Sequence, residues 1–271
     1  MAGTKAKLTN YKPRAIGVIN WVGLATLTRK EIERFTSVYL QTIAAPIVTT
    51  LLYYAIFALA FGGVAREVNG ISFLAFLAPG LIMMTMVQNA FANTSSSLVI
   101  SKMQGTVIDI LMPPLSSIEI LTGYITGGLV RGFAVGLCTA IAVYLFVDFE
   151  IAHWWMLLSF AFLGNFMLSA LGVLTGIWAE KFDHTATITN FIITPLTFLS
   201  GTFYSIESLP ANWQVIAHYN PFFYMIDGFR TGFIGAGDGS IMTGLVTLSL
   251  INLVLVVLIL YLLEIGYKIK S

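Results

Sequence analysis

Six long apolar runs constrain what this 271-residue chain can fold into more than any other feature of its sequence. A helix needs about 20 mostly apolar residues to cross the roughly 30 Å hydrocarbon core of a bilayer. Helices are the expected spanning element, because every backbone polar group inside lipid must be hydrogen-bonded within the protein. The sequence therefore predicts six transmembrane helices, which cover residues 38–62, 73–92, 119–146, 153–178, 186–203 and 241–263.

The composition places most of the chain in lipid. Hydrophobic residues make up 57% of the sequence and charged residues only 10%, whereas soluble domains carry about 25% charged residues. The predicted fold class is all-α, a polytopic membrane protein with a single domain over residues 1–271. A cytoplasmic N-terminal segment (1–37) precedes the six-span region (38–263), and a cytoplasmic tail (264–271) follows it. The net charge of +1 gives no indication of a nucleic-acid partner.

The distribution of lysine and arginine predicts the orientation of the chain. Cytoplasmic loops of membrane proteins carry an excess of these residues. With six spans, eleven of the 14 lysines and arginines fall on one side of the membrane, so we expect both termini to be cytoplasmic. Those eleven are Lys5, Lys7, Lys12, Arg14, Arg29, Lys30, Arg34, Lys102, Lys181, Lys268 and Lys270.

The sequence lacks the residue patterns of several kinds of nucleotide-binding, metal-binding and catalytic site. A phosphate-binding P-loop needs a Gly-Lys-Ser/Thr step, and no lysine here directly follows a glycine. The three histidines, His153, His184 and His218, have no spacing typical of a metal or protease site. We therefore expect no catalytic residue and no metal site, and we expect that the chain is not an enzyme by itself. A stand-alone channel or secondary transporter stays open as an alternative, although such carriers usually place acidic residues within their spans.

The segment 17–36 has the periodicity of an amphipathic helix. Its apolar residues recur at steps of three and four, whereas Lys30, Glu33 and Arg34 fall on the opposite face. This pattern is typical of an interfacial helix along the cytoplasmic membrane surface. Two interpretations stay open, a surface anchor or a helix that also contacts a cytoplasmic partner. The candidate residues for such a contact are Arg29, Lys30, Glu33 and Arg34.

The predicted cytoplasmic loop at 93–118 contains a second amphipathic stretch. Its pattern predicts a short helix over Lys102–Leu111, which Pro113 and Pro114 end before the third span begins. A rigid helix at the mouth of the membrane domain can transmit force from a partner into the spans, and the alternative is an ordinary interfacial loop helix. The candidate coupling residues are Lys102, Met103, Gly105, Thr106, Val107, Asp109, Ile110, Leu111 and Pro114.

Three motifs carry a resemblance to a known family. The run Lys102–Leu111, followed by Pro114-Leu115-Ser116, resembles the cytoplasmic Gly-Thr-x-x-x-Leu and Pro-Leu-Ser segment of ABC-2 type transporter permeases. Leu77–Leu81 is similar to the Pro-Gly pair in the second span of that family. Asn220–Tyr224, with Arg230 after it, resembles the family signature before the last span.

This resemblance implies a function and a set of partners. It implies the permease subunit of an exporter in the inner (plasma) membrane, which moves a drug, a lipid or a polysaccharide-like substrate outward. The segment Lys102–Leu111 would be the coupling helix that docks on a separate cytoplasmic ATPase. Two copies of the permease, a homodimer, would pair with two ATPase subunits. ATP and magnesium would bind to the ATPase, and this chain would bind no cofactor.

The predicted external loop at 204–240 is too apolar to be fully solvated. Two short helical pieces fit it, and pieces of that length can only dip into the membrane and return. The resemblance likewise implies re-entrant helices before the last span. Asp227 and Arg230 are three residues apart and could pair on one helix face. The region is either a structural cap or an exit gate, and its candidate residues are Asn220, Pro221, Tyr224, Asp227 and Arg230.

The third span carries two further features. Gly128, Gly132 and Gly136 repeat at four-residue steps, a face that allows close helix packing, which we expect against the fourth span. Arg131 lies within the same span, where a charge costs several kcal/mol unless it finds a partner. It is either part of the transport path or a structural arginine whose donors are satisfied.

Overall fold

The computed structural model describes residues 17–61, 67–68, 70–147 and 150–268, and most of them are helical. The α-helices are α1 (Trp21–Thr36), α2 (Ala45–Phe61), α3 (Phe73–Met103), α4 (Ile108–Leu111), α5 (Ser117–Tyr144), α6 (Trp154–Trp178), α7 (Phe182–Ile188), α8 (Thr194–Phe198), α9 (Ala211–Tyr219), α10 (Pro221–Ile234) and α11 (Ile241–Ile265). Shorter elements are π-helical turns at Leu40–Ala44 and Thr189–Ile193, a 3-10 turn at Ile206–Ser208, and two antiparallel strands, β1 (Glu67–Val68) and β2 (Ile71–Ser72).

Five helical stretches of the described chain are long and apolar enough to cross a membrane. They are Leu40–Ala60, Phe73–Met103, Ser117–Tyr144, Trp154–Trp178 and Ile241–Ile265. They coincide with five of the six predicted spans. The predicted span at 186–203 is not among them, because its continuous helical stretch, from α7 through a π-helical turn to α8, covers only Phe182–Phe198 and is too short. The long helix α3 also continues well beyond residue 92, where the sequence predicted a loop.

Helix α3 forms the centre of the bundle, and α5 and α6 pack against it. Helix α5 runs antiparallel to α3, since a Cβ on Gly128 would touch Thr94 and one on Gly136 would overlap Met86. Helix α6 runs parallel to α3, with Gly176 against Leu98 near the end of both helices. The predicted glycine face of the third span therefore packs within one chain, against both α3 and α6.

The bundle has two distinct ends. At one of them, the Lys102 end, the Lys102 ammonium donates to the carbonyls of Ile177 and Ala179 at 2.6 and 2.8 Å. Lys268, near the end of the described chain, pairs there with Glu180 at 2.8 Å. The start of α5 lies at the same end, because α5 is antiparallel to α3. The start of α1 is bonded to the start of α5, so both ends of the described chain lie at the Lys102 end.

The opposite end is named here the Gly232 end. The backbone N–H groups of Ala152 and His153, just before α6, donate to the carbonyls of Phe233 and Gly232. The strands β1 and β2 precede α3 at this end. Helix α10 runs antiparallel to α6, with Gly228 against Phe160 and Gly232 against Leu157.

Candidate functional site

A cleft at the Lys102 end combines two segments that the sequence analysis had treated separately. The cavity has a volume of about 600 Å³ and lies between α1 and the connection from α3 to α5. We call it the α1 cleft. Its lining residues are Gly23, Thr26, Leu27, Lys30, Gln104, Thr106, Asp109, Ile110, Pro113 and Leu115.

One wall of the α1 cleft is a turn rather than the predicted helix. Gly105 has a φ of +71°, a left-handed conformation that glycine adopts most readily and that commonly ends a helix. Its N–H donates to the Lys102 carbonyl, and the Val107 N–H donates to the Ser101 carbonyl. The prediction of one continuous helix over Lys102–Leu111 is therefore wrong. Helix α3 ends at Met103, and the separate helix α4 spans only Ile108–Leu111.

The predicted coupling residues divide into two groups. Met103, Gly105 and Asp109 are exposed, and Asp109 lines the α1 cleft. Ile110 is buried, and Val107 and Leu111 pack against the main core. Thr106 lines the cleft and donates weakly to the Ser101 carbonyl at 3.4 Å, while the Pro114 carbonyl accepts a bond from Asn20 at 3.2 Å.

Lys102 belongs to neither group. Its ammonium hydrogen-bonds the last carbonyls of α6, which have no partner within their own helix. This position favours a positive charge, because the C-terminal end of a helix is partially negative. The structure thus gives Lys102 a capping role inside the bundle, where the sequence predicted a contact with a partner.

Helix α1 is fastened to α5 at its first residue. The Asn20 side chain caps α1 by accepting the Gly23 N–H at 3.0 Å. The Asn20 backbone N–H donates to the Glu119 carboxylate, which also completes a capping box with Ser116. Gly123 leaves room for Leu27 beside it. Because of these bonds, α1 cannot shift without disturbing the start of α5.

A buried ionic group fastens the other half of α1, and sequence reasoning missed it. Glu31 is fully buried and accepts from the Ser97 hydroxyl at 2.6 Å. Arg34 lies 3.4 Å from Glu31 and donates to the Asn93 side chain at 2.8 Å. Arg34 therefore does not share the exposed face predicted for it with Lys30 and Glu33. The signal available in the sequence was the four-residue step from Leu27 to Glu31 to Phe35, all three of which are buried.

The remaining predicted charges of α1 are exposed. Lys30 lines the α1 cleft, and Arg29 and Glu33 form an ion pair at 2.6 Å on the outer face. Exposed pairs at this spacing contribute only about 0.3–0.5 kcal/mol. The charged face that α1 presents outward is thus narrower than predicted.

Two of the sequence motifs meet near the Gly232 end. Arg230 is almost fully buried, donates to the Gly201 carbonyl at 2.6 Å, and lies 3.9 Å above the Phe76 ring. A Cβ on Gly80 would lie 2.6 Å from the Thr202 carbonyl oxygen. The Pro-Gly pair of α3 therefore allows the turn after α8 to approach, and Arg230 holds that turn in place.

The rest of the predicted exit region is held by backbone contacts. Asp227 accepts from the N–H groups of Asp238 and Gly239 at 2.8 and 2.9 Å. The predicted Asp227–Arg230 ion pair is not formed, because each side chain bonds backbone groups instead. Asn220 caps α10 and donates to the Leu196 carbonyl at 2.9 Å, which ties α10 to α8. Pro221 occupies the first turn of α10, where it needs no N–H partner, and Tyr224 is half-buried.

A second cavity lies within the bundle, between α2, α3 and α8. Its volume is about 420 Å³, and most of its lining side chains carry hydroxyl or amide groups. We call it the polar cavity. Arg131 on α5 donates to Asn89, which lines this cavity, at 2.9 Å. Within the described ranges, no group of three or more His, Cys, Asp or Glu side chains lies close enough to hold a metal ion.

The sequence profile of the ABC-2 type transporter family matches residues 23–234. The match runs from the first turn of α1 to the end of α10, so it includes both cavities and the Arg230 contacts. The chain belongs to the ABC-2 type transporter family. Its homologues are transport permeases, and the family implies an ABC ATPase partner and a membrane location.

Sequence similarity to two bacterial proteins supports this assignment to the family. The inner membrane transport permease YadH of Escherichia coli strain K12 is 40% identical over 224 residues, which is 82% of this chain and 87% of the relative. Nodulation protein J of Rhizobium leguminosarum biovar viciae is 25% identical over 228 residues, 81% of this chain and 84% of the relative. This ABC-2 permease is therefore similar to both over most of its length.

Proposed function

We propose that this chain is the membrane subunit of an ATP-driven exporter and that a separate ATPase docks at the α1 cleft. The cleft is the observation that carries the proposal. It is a cavity of about 600 Å³ with Lys30 and Asp109 on its two walls, at the end where both ends of the described chain lie. It joins the two segments for which the sequence predicted contact with a cytoplasmic partner. In this proposal ATP and magnesium bind to the partner, and the permease itself binds no cofactor.

The proposal includes six spans, with the segment from α7 to α8 as the fifth. This segment begins beside Glu180, at the Lys102 end, and ends at Gly201 and Thr202, beside Gly80. Along α3, Gly80 and Lys102 are roughly 33 Å apart at about 1.5 Å per residue. That distance matches the roughly 30 Å hydrocarbon core, so the contacts support a complete crossing. An even number of crossings also agrees with two chain ends at one end of the bundle.

The proposal also includes re-entrant helices. Helices α9 and α10 meet at Asn220, which is buried and donates to the Leu196 carbonyl of α8 at 2.9 Å. Met225, one turn further, packs against Gly164. Gly164 lies about 15 Å along α6 from its start, at about 1.5 Å per residue. Both observations support a hairpin that dips to about half of the membrane depth and returns.

The contacts of α1 supply a path for force from the ATPase. A displacement of α1 acts on α5 through Asn20 and Glu119, and on α3 through Glu31 and Arg34. Helix α3 continues to Gly80, which contacts the turn held by Arg230. In the proposed mechanism two permease copies and two ATPase subunits assemble in the inner membrane with the Lys102 end in the cytoplasm. ATP-driven closure then moves the Gly232 ends of the two copies apart as rigid bodies, which opens a path between the copies for a drug, lipid or polysaccharide-like substrate.

The proposal is tested by affinity purification of the tagged permease from its native membrane in mild detergent, with mass spectrometry of the co-purifying chains. We expect a stoichiometric soluble chain with a P-loop. Asp109→Arg should reduce its recovery, because this change reverses a charge in the cleft. Glu207→Arg is the matched control, since it makes the same charge change on an exposed residue near the Gly232 end. Wild-type protein that carries no ATPase in several detergents, or equal recovery with both variants, would refute the docking site.

A further inference from the structure

We infer that the polar cavity binds the headgroup of an anionic amphiphile, a molecule with a phosphate or carboxylate group and an alkyl chain. Asn89 would contact the headgroup, and Arg131 behind it would supply the positive charge. The inference rests on the proposed function, because it names a substrate class for the proposed exporter. The observations that carry it concern the charge of Arg131, the orientation of Asn89 and the lining of the cavity.

The charge of Arg131 is not neutralised by the described part of the chain. Its side chain is only 9% exposed and its Nε atom has no hydrogen-bond partner. The ion pairs among the described residues join Arg29 to Glu33, Arg34 to Glu31 and Lys268 to Glu180. The charge of Arg34 also acts on Arg131, and because it is positive as well it does not neutralise Arg131. An arginine inside a span is costly without a partner, so a bound anion would supply the missing charge.

Arg131 also fixes the orientation of Asn89. An arginine side chain can only donate hydrogen bonds, so the side-chain oxygen of Asn89 must face it. The Asn89 amide nitrogen then points away from Arg131, and one of its two hydrogens is used by the Thr85 carbonyl at 3.0 Å. The other hydrogen remains for a ligand. Because the bond from Arg131 polarises the amide, this N–H is a stronger donor than that of a free asparagine.

The other lining groups favour the same ligand. Among the described residues that line the polar cavity, none carries a charged side chain, so no carboxylate from this part of the chain repels an anion there. Gln41, Thr49, Gln88 and Thr194 add hydroxyl and amide donors around the space. A ligand rich in acceptor oxygens can bind several of these donors together. A cationic ligand would meet the field of Arg131 and find no carboxylate.

An aromatic cluster beside the cavity suits an alkyl chain. Tyr53 and Phe198 line the cavity, and both rings contact Phe203, with centroids 6.3 and 5.2 Å away. Phe57 stacks on Phe203 at 5.0 Å. The donors and the aromatic rings therefore form adjacent surfaces. A molecule with an anionic head and an apolar tail can use both, whereas a free anion uses only the first.

The test measures the thermal unfolding midpoint of the full-length permease in phosphatidylcholine nanodiscs, with any co-purified ATPase retained. The probes are dodecyl phosphate, dodecyltrimethylammonium with the same chain and the opposite charge, and inorganic phosphate without a chain. A ligand that binds only the folded state raises the midpoint with its concentration. We expect a saturable rise with dodecyl phosphate at concentrations about tenfold or more below those that produce any rise with the other two probes. Equal effects of the cationic probe or of inorganic phosphate would overturn the inference.

Two variants localise the effect, and one keeps the test valid if the other misfolds. Arg131→Gln should weaken the dodecyl phosphate response about tenfold or more. Asn89→Asp should abolish that response and raise the midpoint without ligand, because the new carboxylate pairs with Arg131. Lys181→Gln is the matched control, since it removes an exposed positive charge that does not line the polar cavity, and it should leave the response unchanged. An unchanged response in Asn89→Asp would overturn the inference.

A failure of the ligand-binding inference can be distinguished from a failure of the proposed function. The binding response reports on the polar cavity, whereas ATPase recovery reports on the α1 cleft. A permease that recovers its ATPase but shows no response to dodecyl phosphate would refute the ligand class and leave the exporter proposal intact. A dodecyl phosphate response that vanishes in both cavity variants would support the ligand class even if no ATPase were recovered.

Discussion

The two ends of the bundle are built in different ways. Near the Gly232 end, Arg230 is 1% exposed and its contacts to Gly201 and Phe76 leave no room to move. At the Lys102 end, the turn at Gly105 is exposed, and a Cβ added to this glycine would have no neighbour within 4 Å. The space beside Gly105 is therefore open, whereas Gly80, near the other end, is densely packed.

This contrast indicates which end can change shape. Segments with few buried contacts and exposed backbone open at low cost, whereas densely packed segments resist displacement. We expect the α1 cleft to adapt to a partner, with the Arg230 contacts as a rigid support. Substitutions at the two ends should therefore differ in kind: those near Arg230 should reduce stability, and those near Gly105 should reduce coupling.

The largest loss of stability is expected from substitution of Gly80. Gly80→Val places a side chain against the backbone carbonyl of Thr202, which cannot turn aside. Overpacking of this kind costs up to about 3 kcal/mol. The thermal unfolding midpoint in detergent should fall sharply. Gly17→Val is the control, because a Cβ added to Gly17 would meet no atom of the described residues within 4 Å, and a similar fall in both variants would contradict the packing argument.

The next effect is expected at Arg230. Arg230→Met keeps most of the side-chain volume but leaves the Gly201 carbonyl without its donor. An unsatisfied buried carbonyl costs about 1–3 kcal/mol. Arg29→Met, at an exposed position, should change the unfolding midpoint little. A neutral or stabilising result for Arg230→Met would show that the rigid support does not depend on this hydrogen bond.

At the Lys102 end, substitution of Gly105 should affect substrate transport more than stability. Gly105→Val forces a branched side chain into a left-handed conformation at a cost of about 1–2 kcal/mol, while Asn tolerates that conformation. We expect the valine variant to lose substrate transport with its unfolding midpoint only slightly lowered. Gly105→Asn should keep transport. Thr106→Trp should also uncouple transport with the fold intact, and normal export by both bulky variants would refute the coupling role.

The smallest effect is expected at the exposed Lys268–Glu180 contact. The hydrogen bond from Lys268 lowers the pKa of Glu180 below its ordinary value of 4.5. A group with a depressed pKa stabilises the fold above its unfolded-state pKa and loses that contribution as the pH falls. The difference in unfolding midpoint between wild type and Glu180→Gln should be small at pH 7, should begin to shrink near pH 4.5, and should vanish once the pH falls below the lowered pKa of Glu180 in the folded state. A difference that grows toward low pH would contradict this assignment.

Five of the six predicted spans match long apolar helices of the described chain, because hydropathy reports the length and the lipid exposure of a helix. The end of the second span was not predictable, because Asn93, Thr94 and Ser97 indicate a loop when their partners are unknown. In the structure they continue α3 and bond Arg34, the Ser169 carbonyl and Glu31. Polar residues that satisfy each other between helices cannot be distinguished from solvated ones by composition alone.

The candidate sites were predictable as motifs but not as geometry. The sequence identified Gly105, Gly80 and Arg230 without showing that the last two share one contact. It also placed Lys102 on the docking surface, because the carbonyls that it caps belong to a helix about 75 residues away in sequence. Pairings of this range depend on the packing of the whole bundle, which the local pattern does not contain.

Photo-crosslinking in cells can show whether an ATPase docks at the Lys102 end. A photoreactive amino acid would replace Thr26 in the α1 cleft or Trp213 on α9, both of which are exposed. We expect a cross-link from position 26 to a soluble chain with a P-loop, and none from position 213. A cross-link to that chain from position 213, or none from position 26 in protein that co-purifies with it, would rule out docking at the Lys102 end.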